Sequence, residues 1–243
     1  MRPPLMRIPL ALALLALPAA LAAQAPAHRS LPLGDTSVTM AGEKVLLTHT
    51  VARSREGIES GLQREDGLQG TARSEFDQDL PRSYTVLWTS ADTAIALQVQ
   101  RRGTRLQVSG ARTATVPIPR NTRWAIADLG MDEHLIPTLR TIPEGTQGVP
   151  FAVFRPYSDR WDRLTVSVIG LVGATVIQLQ SETGEIGRYI VTETGDLLYG
   201  EALQPGADTL TSRRVPSAGS RRDERLQDLL VLARNHAGTR PSQ

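Results

Sequence analysis

Cysteine is absent from the 243-residue chain, and lysine occurs once, at Lys44. The lack of cysteine excludes disulfide bonds, cysteine nucleophiles and cysteine-based zinc or iron–sulfur sites. Aromatic residues make up only 4% of the sequence, but hydrophobic residues reach 40% against 21% charged residues. This balance is typical of a chain that packs a core. Because no disulfide bond can help, the core has to supply the stability of the fold.

The common catalytic motifs are also absent. No Gly-x-Ser-x-Gly elbow occurs, and no glycine-rich loop carries the lysine of a phosphate site. Paired Asp-Thr/Ser-Gly loops are missing, and the four histidines show neither His-Glu-x-x-His nor His-x-His spacing. The sequence therefore predicts no enzyme, no cofactor and no metal site.

One acid–histidine cluster remains, at Asp132-Glu133-His134. His134 beside these acids could act as a general acid or base, so a hydrolase that uses Asp132, Glu133 or His134 is one alternative. No nucleophile accompanies the cluster in the sequence. A solvated face of a short helix is the more economical interpretation.

Long hydrophobic runs are missing beyond the amino end. Arg2 and Arg7 precede an apolar stretch at residues 8–17, and Ala20-Leu21-Ala22 has the small-x-small pattern of signal peptidase sites. We predict a signal peptide at residues 1–23 with cleavage near Ala22 or Ala23, in preference to an uncleaved anchor, because a span needs about 20 apolar residues. The mature chain is expected to be exported, periplasmic or extracellular, with no transmembrane segment.

The formal net charge of +2 includes Arg2 and Arg7 of the predicted signal peptide. Once they are removed, basic and acidic residues balance, and the mature chain is near neutral. A basic surface for nucleic acid is therefore not expected, and we predict no nucleic-acid partner.

Alternating apolar and polar residues dominate the second half of the chain. Five such runs occur at residues 151–155, 164–169, 174–179, 187–192 and 197–203. Alternation with period two buries one face of a strand and exposes the other. Thr183-Gly184 and Thr194-Gly195 separate neighbouring runs with residues typical of hairpin turns. These features predict a meander of antiparallel strands.

The first half shows the same pattern with one polar interruption. Strand character begins near Ser37, continues through Val51, where His49 falls in the apolar row, and returns at residues 83–118. His49 is expected to be a buried or edge histidine with one hydrogen bond rather than a ligand. Residues 53–79 are glycine-rich and acidic, and fit either two weak strands or a long loop. Their acids lack the spacing of a calcium loop, so a solvated charged face is expected.

Helical spacing appears twice. Leu135, Ile136, Leu139 and Ile142 predict a short helix within residues 128–142, which Pro137 shortens or kinks. Residues 221–243 predict an amphipathic helix and tail, after a Pro-, Gly- and Ser-bearing linker at residues 204–220. Docking of that helix on its own domain is favoured over binding to a membrane surface or a partner, since acidic residues dilute its positive charge.

Residues 132–203, about a third of the chain, resemble a family of exported proteins of uncharacterised function, which is thought to share the half-barrel of Lol-type lipoprotein carriers. The resemblance rests on residues 133–143, on Val166-Ser167-Val168-Ile169-Gly170 and on the repeated hairpins. It implies a strongly curved antiparallel sheet with an apolar concave side covered by short helices. It implies no catalytic residue.

We therefore predict a mainly β fold: a single curved antiparallel sheet (half-barrel) at residues 36–203, with a short lid helix and a C-terminal helix, after a linker at 24–35. The predicted function is non-catalytic binding of a lipid or lipidated peptide in the apolar concave face. A cell-envelope structural or assembly protein that acts through a protein partner is the alternative. The predicted lining residues, two of them on the lid, are Trp88, Leu97, Val99, Val108, Leu135, Leu139, Val166, Val168, Ile177 and Leu179. Each of them fits a filled core equally well.

Overall fold

The computed structural model describes residues 35–41, 44–55, 57–128, 130–184, 186–203 and 210–214. Within them the chain is mainly β, as predicted. The strands are β1 (Asp35–Ala41), β2 (Lys44–Arg53), β3 (Gly57–Arg64), β4 (Gln69–Asp77), β5 (Leu80–Thr89), β6 (Ala94–Arg102), β7 (Arg105–Gly110), β8 (Ala114–Pro117), β9 (Arg123–Ile126), β10 (Val149–Arg155), β11 (Arg160–Leu171), β12 (Ala174–Ser181), β13 (Ile186–Thr192), β14 (Leu197–Leu203) and β15 (Leu210–Arg214). A 3₁₀ helix (Asp132–His134) and α1 (Ile136–Leu139) separate β9 from β10.

In the described residues the strands form one hydrogen-bonded series, in the order β8-β7-β6-β5-β4-β3-β2-β1-β15-β14-β13-β12-β11-β10-β9. Neighbours are antiparallel except β9 and β10, which run parallel because the two helices connect them. The end strands β8 and β9 do not pair with each other in this series, so it does not close into a barrel.

Two distant parts of the series share one core. Tyr84, Val86, Val99 and Leu106 of β5 to β7 belong to the same apolar cluster as Phe154 of β10. These strands lie far apart in the strand order, so their contact requires the sheet to bend until its two halves face each other. The alternation in the sequence explains the buried face: in β5, Tyr84, Val86 and Trp88 point inward and the residues between them are more exposed.

The polar segment at residues 53–79 forms β3 and β4 rather than a long loop. Gly67, at φ 85°, turns the chain between them. Ile58 and Leu62 are buried on the inner face, with Ser60 between them. The charged residues that suggested a loop lie largely on the other face or in the turn.

The structure differs from the predicted linker at residues 204–220, because Leu210–Arg214 forms β15. This strand pairs with β1 on one side and β14 on the other, and so joins the two halves of the sheet. Pairing with two distant strands stabilises a segment whose own sequence is only weakly strand-like. The linker at 24–35 overlaps β1 at Asp35 alone. The predicted signal peptide and the C-terminal helix lie outside the described residues.

Candidate functional site

The insert is defined here as the described residues among 127–148, between β9 and β10. Most of its residues up to Ile142 are buried in the bent sheet, whereas residues 143–148 are mostly exposed. Its two helices are shorter than the predicted one, because Pro137 lies at the start of α1 and cannot donate a hydrogen bond to a preceding turn. Leu135, Ile136 and Leu139 are at most 1% exposed. These residues are therefore buried in the core, whereas the sequence predicts a helix that covers the sheet from outside.

The predicted lining residues are all buried, in two separate clusters. Trp88, Leu97, Val99 and Val108 pack with β9 and β10. Leu135 and Leu139 of the insert pack with the remaining four residues, Val166, Val168, Ile177 and Leu179, on β11 and β12. The insert thus contacts the apolar face that it was predicted to cover. Its own side chains fill the space above that face, and ligand binding by these residues stays a prediction.

A buried polar network, which we call the insert network (His49, Ser60, Ser74, Glu133 and His134), joins the insert to β2, β3 and β4. Ser60 Oγ lies 2.8 Å from His134 Nε2, and Ser74 Oγ lies 2.6 Å from His134 Nδ1. One ring nitrogen of a neutral histidine donates and the other accepts, so the two hydroxyls satisfy both. The expectation that Asp132-Glu133-His134 forms a solvated face is wrong for Glu133 and His134, which are 1% and 0% exposed.

His49 and Glu133 form a buried ion pair, with Nε2 and Oε1 separated by 2.8 Å. The predicted burial of His49 is confirmed. Burial alone would lower the pKa of His49, but the Glu133 carboxylate outweighs burial and raises it above its usual value. Burial alone would raise the pKa of Glu133, but the positive charge of His49 outweighs burial and lowers this pKa below its usual value. Each partner therefore stabilises the charged form of the other inside the sheet.

His134 behaves in the opposite way. Burial lowers its pKa to about 4, and nearby Glu133 offsets only part of this effect. The ring is therefore neutral at physiological pH. Tyr84 packs edge-on against it, with ring centroids 5.4 Å apart.

A second set of polar contacts anchors the insert to the other half of the sheet. Tyr189 Oη donates to an Asp132 carboxylate oxygen at 2.9 Å, and Arg155 donates to the backbone oxygen of Ala127 at 3.0 Å. Arg155 Nε also binds Asp162 at 2.8 Å. Polar groups that are paired in this way avoid the cost of unsatisfied burial. The insert is thus fixed from both sides.

Ser60, His134 and Ser74 supply the hydroxyl and imidazole groups of a serine–histidine catalytic pair, but these groups are not accessible to a substrate. Ser60 and Ser74 are only 2% and 1% exposed, so a substrate cannot reach either hydroxyl. In the described part of the chain, no group of three or more potential metal ligands comes together. The arrangement fits a role in positioning the insert.

Sequence reasoning missed Ser60 and Ser74. The signal that points to them is their place in the inward rows of β3 and β4, opposite Ala72 and Ile58 respectively. A small polar residue in an otherwise apolar row requires a buried partner. That partner, His134, lies 74 and 60 residues further along the chain.

The structure is similar to two solved proteins. One is a DUF1089 family protein from Pseudomonas aeruginosa, with a TM-score of 0.51 and 13% identity over 64% of this chain and 89% of that one. The other is a beta-barrel-like protein with the domain of unknown function DUF1849 from Brucella abortus, with a TM-score of 0.48 and 11% identity over 76% and 98%.

At such low identity the likeness concerns the fold. The likeness to the Pseudomonas aeruginosa protein fits a β-rich fold and gives no support to a Lol-type assignment. No family model matches the sequence, and no curated protein does. No helix among the described residues is long and apolar enough to cross a membrane.

Proposed function

We propose that the protein is an exported, non-catalytic binding protein that takes up a lipid or a lipidated peptide between the insert and the apolar face of β11 and β12. The observation that carries this proposal is that Leu135 and Leu139 share one buried apolar cluster with Val166, Val168 and Ile177. An acyl chain offers the same kind of surface as these leucines. It would replace them when the insert moves aside.

The insert is suited to such displacement because its helices are short. Its 3₁₀ helix has three residues and α1 has four. Helices of fewer than about 12 residues are marginal on their own and depend on tertiary contacts. A ligand that competes for those contacts therefore competes directly with the closed state. The bent sheet, whose strands are hydrogen-bonded in series, remains as the rigid part.

Further polar anchors, on α1 and directly after it, contribute to the cost of opening. Thr138 Oγ1 donates to the Asp79 backbone oxygen at 2.7 Å, and Arg140 donates to the Glu193 backbone oxygen at 2.5 Å. Arg140 is exposed, so its contact can be removed with little effect on the core. We expect Arg140→Gln to favour opening and to speed uptake of a fluorescent fatty acid several-fold.

The test begins with the full chain expressed in a host that exports it. Native mass spectrometry and solvent extraction of the purified protein are expected to show a bound amphiphile and a mature amino terminus near Ala22 or Ala23. Arg163→Gln is the matched control, since Arg163 is an exposed arginine on β11 outside the insert. A ligand-free spectrum together with no fatty-acid uptake by the wild-type protein would reject the proposal.

One observation favours a second function, that of a cell-envelope structural or assembly protein. The insert fills the inside of the sheet in the described residues, which is what a non-carrier scaffold requires. A protein partner would then bind elsewhere, for instance through the predicted helix at residues 221–243. Deletion of these residues is expected to abolish in-cell cross-linking to the partner while leaving thermal unfolding unchanged. Unchanged cross-linking would count against this function.

A further inference from the structure

A half-open groove lies beside the β6–β7 hairpin, away from the insert network. Its volume is about 440 Å³, within the range of small-molecule sites. The segment after β8 forms one wall, and the Ile118 amide donates to the Thr104 backbone oxygen at 2.9 Å. Residues along the groove are Leu80, Arg101, Gly103, Thr104, Arg105, Pro117, Ile118, Pro119, Arg120 and Trp124.

The groove combines positively charged side chains with an edge of the apolar core. Arg101 continues the inward row of Leu97 and Val99 along β6, so its guanidinium stands where that buried row reaches the edge. Arg105 and Arg120 are exposed, and neither makes an ion pair or side-chain hydrogen bond with any described residue. Two arginine charges are thus uncompensated at this rim.

The floor of the groove is apolar. Trp124 is 7% exposed and belongs to the same cluster as Val99 and Leu106. Ile118 packs against that cluster from the rim. A ligand in the groove would therefore meet guanidinium groups at one side and an aromatic surface at the other.

We infer that this groove binds an anionic amphiphile, with a phosphate or carboxylate head on the arginines and its apolar part against Trp124. Guanidinium groups bind such oxyanions in pairs of parallel hydrogen bonds. The inference goes beyond the proposed function, because none of the predicted lining residues contributes to this groove. It holds or fails whether or not the insert opens.

Asp77 is the natural competitor for the ligand. Its carboxylate lies 2.9 Å from Arg101, and its side chain is 59% exposed. Removal of that charge leaves Arg101 free to bind an anion. Asp77→Asn is therefore expected to tighten binding, whereas loss of an arginine weakens it.

The experiment measures binding of octyl phosphate by titration calorimetry and by quenching of tryptophan fluorescence, with octanol and inorganic phosphate as separate ligands. Octyl phosphate is expected to bind more tightly than either, because only it contacts both surfaces. Arg105→Gln and Arg120→Gln should each weaken it about tenfold, the effect of one charge-assisted hydrogen bond. Arg163→Gln changes the net charge equally and should leave binding unchanged.

Vesicles distinguish a free ligand from a membrane. Flotation with phosphatidylglycerol vesicles, but not with phosphatidylcholine vesicles, assigns the head group to a lipid surface if Arg105→Gln and Arg120→Gln reduce it. Binding of soluble octyl phosphate without flotation assigns a free amphiphile. The inference is overturned if neither octyl phosphate nor phosphatidylglycerol vesicles bind. It is also overturned if Arg105→Gln and Arg120→Gln behave like Arg163→Gln in both the octyl phosphate titration and the flotation assay.

Discussion

The charge on Glu133 is expected to be the largest single electrostatic contribution of the insert to stability. In Glu133→Gln the shape is kept, but the buried ion pair with His49 is lost. The two atoms are 2.8 Å apart, and their side chains are only 7% and 2% exposed. Removal of one partner of a buried pair leaves the other charge uncompensated, which costs about 3 kcal/mol or more.

His49 can lose its proton once the carboxylate charge is gone, so we expect a loss at the lower end, about 3 kcal/mol. For a chain of this length, each kcal/mol corresponds to roughly 2–4 °C in Tm, which gives a decrease of about 6–12 °C. His49→Gln alone should destabilise by a comparable amount. The double variant should lose less free energy of unfolding than the sum of the two single losses, since no buried charge of the pair then remains.

Urea unfolding followed by tryptophan fluorescence and circular dichroism measures these free energies. Glu59→Gln is the matched control, because Glu59 pairs with Arg73 at 3.2 Å and both side chains are 46% exposed. Exposed pairs contribute about 0–1 kcal/mol. If the free energies of unfolding of Glu133→Gln and Glu59→Gln differ by less than about 0.5 kcal/mol, the buried pair does not stabilise the insert.

Two further predictions concern His134 and the glycines of the sheet. Burial lowers the folded-state pKa of His134 from 6.5 to about 4, so its neutral form is stable in the fold, and about 3 kcal/mol should be lost as the pH falls from 6.5 to 4. In His134→Gln the free energy of unfolding, measured by urea titration at pH 7, 5 and 4, should fall less steeply with decreasing pH than in the wild-type protein. An equally steep fall would show that His134 is not the group responsible. Gly57→Ala places Cβ 1.8 Å from the Ser74 backbone oxygen, whereas Gly170→Ala meets the flexible carboxylate of Glu144. Only the first should lower Tm strongly, and equal losses would contradict this reasoning.

The strands could be predicted because their signal is local. Alternation along Tyr84, Val86 and Trp88 indicates a strand without knowledge of its neighbours. The same local reasoning misses Leu210–Arg214, whose strand depends on pairing with β1 and β14. The long polar region at residues 53–79 left two alternatives open, and pairing between β3 and β4 decided for strands.

The insert network could not be predicted, for a different physical reason. Charged residues are rarely buried, so Glu133 and His134 favoured a solvated helix face. Their burial depends on His49, Ser60 and Ser74, which precede them by 60 or more residues. Only the bend of the sheet brings these partners together, and no spacing in the sequence encodes that bend.

The insert network also connects stability with the proposed uptake of a ligand. When the insert leaves the sheet, Glu133 has to separate from His49, and the free energy of that ion pair is part of the cost of opening. Loss of the pair should therefore destabilise the closed protein and speed fatty-acid uptake together. If the insert is only core filling, Glu133→Gln would lower Tm but leave the uptake rate equal to that of Glu59→Gln. A parallel measurement of Tm and of the fatty-acid uptake rate in these two variants thus distinguishes an insert that opens from an insert that stays permanently in the core.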